Sequence, residues 1–256
     1  MSRARGLLAP TASALVFLGL WEAAVRLMQV PPWLLPAPSL VATTLVAHAD
    51  TLMPAWWVTI RVTAIALALA VIGGVAIAAA FALSRATERA LSPFTVVLQV
   101  TPVIAIAPYV MIVTDSPLAT VITCAWIVAF FPILSNTLVG LRATDATLRD
   151  LFRLHRATPW QTLTRLLVPS ALPYFLAGLR TASGLALVGS VVGEFTAGAA
   201  GRNTGLASRI LESMFRTEIP TMFAALALVS LTGVGLYLMT AWLSRALLGR
   251  WHDSER

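Results

Sequence analysis

From Val62 to Ser84, between Arg61 and Arg85, the chain carries no charged side chain. As a helix this run would reach about 35 Å, more than the roughly 30 Å of a bilayer's hydrocarbon core. Lipid offers no partner to an open backbone, and a helix satisfies its own N–H and C=O groups. The run therefore has to be a membrane-crossing helix. Composition extends the argument to the whole chain: 58% of its 256 residues are hydrophobic, 11% are charged, and the mean hydropathy is +0.84. A soluble domain has no interior large enough for such a mixture.

Further spans are expected at Leu8–Leu27, Pro93–Val113, Leu118–Leu141, Ala171–Val192 and Met222–Leu243, each bounded by charge, proline or a turn cluster. The fold class is then an all-α membrane protein of about six transmembrane helices, with residues 1–256 forming one domain. The first span resembles the start of a signal peptide, but it runs on past Ala14 to Leu20 and is read as uncleaved. Glu22 and Arg26 are spaced as a helical pair.

All 18 basic residues are arginine, so a phosphate-loop lysine and a Schiff-base lysine are both excluded. In so apolar a chain the net charge of +7 reads as membrane topology rather than nucleic-acid binding. Arg3, Arg5, Arg85, Arg89, the group Arg142 to Arg165, Arg245, Arg250 and Arg256 fall on one side of the six-span scheme, which places that side and both termini in the cytoplasm. Arg202, Arg209 and Arg216 run against the rule, with Glu212 and Glu218 near enough to pair with them. Cys124 is the one cysteine, and His48, His155 and His252 are scattered, so neither a disulfide nor a metal site is expected.

Thr144 to Pro173 is polar and rich in arginine between two apolar segments. Leu148, Leu151, Phe152 and His155 share one helical face there, and Arg149, Arg153 and Arg156 another. Thr158, Pro159 and Gln161 form a capping-box sequence, so two short helices are expected with a bend near Ala157. Trp160, Leu163 and Leu167 make a second apolar stripe that fits packing against the membrane domain. Inside the spans, Pro102 and Pro108 require a kinked third helix, and the Gly189 to Gly193 spacing suits close helix packing. Gln99, Asn136, Ser183 and Glu194 are the candidates to line a polar substrate path. For Glu194, at the end of its span, the alternative is a hydrated carboxylate at the membrane surface.

Asp150 to Pro173 resembles the cytoplasmic loop of the permease subunits of bacterial binding-protein-dependent ABC importers. Asp150, Leu151 and Phe152 stand at that family's Glu-Ala-Ala, Arg156 at its glycine, Leu166 at its hydrophobic position and Val168–Pro169 at its Leu-Pro. A left-handed backbone would cost an arginine about 1–2 kcal/mol, so ordinary right-handed or extended angles are expected at Arg156. Leu35-Pro36-Ala37-Pro38-Ser39, Phe130-Phe131-Pro132-Ile133 with Asn136-Thr137, Ala171-Leu172-Pro173 through Ala177-Gly178-Leu179-Arg180, and Gly193-Glu194 extend the likeness almost end to end. They are similar to the branch serving nitrate, sulfonate, taurine and pyrimidine precursors. Val113 to Pro117 departs from the family's Trp-Phe-Gly turn.

The resemblance implies a type I importer fold in the bacterial inner membrane, a second copy of the permease, cytoplasmic ATPase subunits and an external substrate-binding protein. It implies that the chain binds no cofactor of its own, with ATP and Mg held by the ATPase. The coupling residues would be Arg149, Asp150, Leu151, Phe152, Arg153, Arg156, Ala157, Thr158 and Trp160. Two rivals lack their marks in the sequence. An ion-coupled secondary transporter would show inverted repeats and midplane ionisable groups, and a membrane enzyme would show clustered catalytic side chains.

Overall fold

The uncharged run folds as the greater part of one helix, and it ends where the sequence supplies a cap. In the computed structural model, which describes residues 2–197 and 204–249 with side chains from residue 11 onward, α1 covers Ser2–Leu27, α2 Pro38–Ala47 and α3 Ala49–Leu83. Ser84 is extended and accepts a hydrogen bond from the Thr87 amide, opening α4, Arg85–Val100. Then come α5 Val103–Thr114, α6 Pro117–Arg142 and α7 Ala146–Leu154. The 39-residue α8 spans Pro159–Ala197, and α9 Leu206–Phe215 and α10 Ile219–Leu248 follow. No strand occurs among the described residues.

By length and composition α3, α6, α8 and α10 are each able to cross a membrane, and α4 with α5 make a fifth crossing if taken as one broken span. That count is of the described residues. The expected first span lies within α1, whose first side chains fall outside them. The third expected span is corrected by the structure: it is two helices meeting at 104°, not one kinked helix. Pro102 has no amide hydrogen to donate, and its ring forces Thr101 out of the helical region, to φ −71° and ψ 123°. Pro93 and Pro108 remain inside α4 and α5.

The chain divides into two compact units. In Met1–Val58 with Gly201–Ser230, the expected Glu22–Arg26 pair is present at 2.5 Å. Glu22 also accepts from the Ser39 amide at 3.0 Å and its hydroxyl at 2.7 Å, which fastens α1 to the first turn of α2, where Pro38 takes the N1 position. The Leu-Pro-x-Pro-Ser segment is thus a helix start held by a carboxylate. Val41, Leu52, Leu206 and Leu228 form the core of this unit. Glu212 receives both Arg209 and Arg216, at 2.7 and 2.8 Å. Arg202 lies outside the described residues.

In Thr59–Ala200 with Leu231–Arg256, α6 and α8 pack tightly because glycines let their backbones meet. A Cβ on Gly189 would lie 2.7 Å from the Ala125 Cα, and one on Gly193 2.8 Å from the Val121 Cα. The expected glycine seam is therefore real. A second seam is polar: Thr59 donates to Glu194 at 3.1 Å, and Thr63 and Ser190 share a hydrogen bond at 3.2 Å. Each partner lies one helical turn from the next, so α3 and α8 run antiparallel in fixed register.

Candidate functional site

Asp145 opens α7 by accepting a hydrogen bond from the Thr147 amide, and His155 closes it. The chain then turns through Arg156 at φ +51°. Arg156 donates its amide to the Arg153 carbonyl at 2.9 Å, and Ala157 donates to Phe152 at 3.0 Å. These are the paired bonds of a Schellman cap, whose left-handed position is usually glycine. The bend near Ala157 is where the sequence puts it. An arginine in that position argued for ordinary right-handed or extended angles, and here the structure corrects the expectation, because the two cap bonds hold Arg156 left-handed.

Beyond the bend the capping box is complete. The Thr158 hydroxyl accepts from the Gln161 amide at 3.2 Å, the Gln161 side chain accepts from the Thr158 amide at 2.9 Å, and Pro159 sits in the first turn. The second short helix is not separate, however. It is the first turn of α8, joined to the span through a π-helical turn at Leu163–Leu167. Leu163, Leu166 and Leu167 are buried in the core, whereas Trp160 is 69% exposed. Side chains lean toward a helix's N-terminus, so one in the first turn projects past the end of the core rather than onto it. Trp160 thereby leaves the stripe assigned to it.

The faces of α7 are also redrawn. Phe152 packs against the core while Leu148, Leu151 and Leu154 stand exposed, Leu154 at 81%. Arg149 shares the inner face with Phe152. Its guanidinium donates to the carbonyls of Leu141 and Arg142, at 2.7 and 3.1 Å, capping the C-terminus of α6. Among the described residues Arg153 reaches only Asp150, on its own helix, at 3.4 Å. What is presented outward is thus Leu148, Leu151, Leu154, the Arg153–Asp150 pair and Trp160, on a knob fixed at Arg149 and Phe152.

The four polar span residues are not brought together. Gln99 lines a cleft of about 490 Å³ with Thr101, Phe131, Leu185 and Gly189, and no charged group lines it among the described residues. Asn136 donates to the Pro132 carbonyl at 2.9 Å, and Ser183 to the Arg180 carbonyl at 2.8 Å, each on its own helix. Glu194 is 4% exposed and bonded to Thr59, so the structure overturns its reading as a hydrated surface carboxylate. The sequence also gave no role to Arg180 on α8, whose guanidinium lies 5.5 Å from the centre of the Tyr237 ring on α10.

Residues 70–249 match the family described as binding-protein-dependent transport system inner membrane component. The chain belongs to that family. It is the permease subunit of an ABC importer and a multi-pass protein of the inner membrane. It is 35% identical over 249 residues to the riboflavin transport system permease protein of Chloroflexus aurantiacus, covering 94% of this chain and 88% of that one. With the formylaminopyrimidine transport permease protein of Halalkalibacterium halodurans it shares 33% over 238 residues, covering 91% and 92%. A chain from a crystal structure of an amino acid ABC transporter shares the permease fold, with a TM-score of 0.63 at 15% identity, over 80% of this chain and 97% of that one. A permease of this family works with an ATPase and a substrate-binding protein.

Proposed function

We propose that the permease carries a small heterocyclic solute of the vitamin or vitamin-precursor class, delivered by an external binding protein and driven inward by ATP hydrolysis on a separate subunit. The observation that carries this reading is the uncharged cleft beside Gln99: its apolar walls, an amide and a hydroxyl suit a flat, neutral ring. An arginine would be expected there for a sulfonate or nitrate. The two relatives named for a flavin and a formylated pyrimidine support the same class.

In this reading the exposed face of α7 with Trp160 seats in the ATPase, and both termini face the cytoplasm with the arginines of α4 and α7. ATP and Mg bind to the ATPase, and this chain performs no catalysis. Two copies of the permease pair. ATP binding draws the ATPase subunits together, the α7 knobs follow, and the paired membrane domains turn from inward-facing to outward-facing; hydrolysis resets them. Arg149 and Phe152 matter because a knob transmits motion only if it is fixed to its span.

Reconstitution with the ATPase and binding protein tests this. ATP-dependent accumulation of a riboflavin- or pyrimidine-type solute is expected, and none with a catalytically inactive ATPase. Accumulation driven by an ion gradient with that inactive ATPase would contradict it.

A further inference from the structure

At the junction of α3, α4, α6, α7 and α8 lies a cleft of about 660 Å³ whose lining shares no residue with the cleft beside Gln99 and does not include Leu148, Leu151, Leu154 or Trp160. Arg85, Arg89, Arg142 and Arg149 line it, with Glu88 as the single acid among the described residues. Glu88 is taken by Arg142, and Arg149 is committed to the end of α6. Arg85 and Arg89 are exposed, and among the described residues neither enters a hydrogen bond or an ion pair, so two guanidiniums are available for an anion. The described lining holds three more positive charges than negative.

The floor of the same cleft is apolar, built from Phe81, Leu141 and Leu167. Arg85 is the first charge after the uncharged run, so the mouth lies where the hydrocarbon core ends. On α4 the side chains of Leu91, Phe94 and Val97 stand exposed, Phe94 at 68%. Arg85 and Arg89 thus stand at the interface end of α4, ahead of the apolar side chains that lead into the 104° bend to α5.

We infer that this cleft binds the headgroup phosphate of an anionic phospholipid, with Arg85 and Arg89 clamping the phosphate oxygens and the first acyl carbons over the Phe81 floor. Guanidinium forks suit phosphate oxygens, and basic pockets between spans suit anionic headgroups. A free phosphate would gain nothing from the apolar floor.

The test uses the purified full-length chain, without ATPase, and reads retained lipid by native mass spectrometry during titration with phosphatidylglycerol or phosphatidylcholine. Preferential retention of phosphatidylglycerol is expected. Arg85→Gln with Arg89→Gln should weaken it about thirtyfold, while the paired Lys variants should restore most of it and Arg61→Gln, an exposed arginine at the other end of the uncharged run, should leave it unchanged. Equal retention of the two lipids, or undiminished retention in the Gln pair, overturns the proposal. Displacement by millimolar inorganic phosphate overturns it too, by assigning the site to a free anion. Coupling to the ATPase is not measured, so either result leaves that reading as it stands.

Discussion

Arg149 donates its guanidinium to the Leu141 carbonyl at 2.7 Å, so the last turn of α6 is held by the helix that follows it. One side chain thereby ends a membrane span and orients α7. Arg149→Ala should lower stability by about 1–2 kcal/mol, through loss of a charge-assisted bond at a partly exposed helix end. Thermal unfolding in detergent micelles reads this as a lower midpoint. Arg149→Lys, which lacks the planar fork, should recover only part of the loss.

Arg156 gives the opposite sign. Its left-handed backbone costs an L-residue about 1–2 kcal/mol that glycine does not incur, so Arg156→Gly should raise the midpoint. Arg156→Val should lower it, because a β-branched side chain tolerates that conformation least. A fall with glycine would mean that the arginine side chain makes a contact worth more than the strain.

The α6–α8 seam admits no added volume where backbone faces backbone. Gly189→Val should cost about 3 kcal/mol or more, since even the Cβ would lie 2.7 Å from the Ala125 Cα. The expected readout is loss of monodisperse protein on size exclusion. Gly184→Ala is the control: its Cβ position has open space around it, and it should behave as wild type.

The polar seam is milder. Thr59→Val keeps the shape of the side chain but removes the hydroxyl that donates to Glu194. A loss of about 1–2 kcal/mol in thermal or denaturant unfolding is expected.

The features legible in the sequence are those set by local pattern: the uncharged run of α3, the capping box at Thr158, the glycine spacing of α8 and the Glu22–Arg26 pair. Those that escaped it depend on what a residue meets across space. Arg149 reads as an outward charge until two unsatisfied carbonyls at the end of α6 stand opposite it, and it reaches them from the first turn of the next helix, seven residues beyond Arg142. Glu194 reads as hydrated because its partner, Thr59, is remote in sequence. At Pro102 the sequence signals a kink, but a kink and a break begin from the same missing amide.

In the proposed reading the outward face of α7 seats the ATPase while its inward face fixes α7 to the membrane domain. Co-purification of the ATPase with Leu151→Asp/Leu154→Asp tests it most directly, because both residues are exposed and neither change disturbs the Arg149 cap. The double variant should keep its thermal midpoint and its monodisperse elution but lose the ATPase. A double variant that retains the ATPase at the wild-type ratio would contradict it.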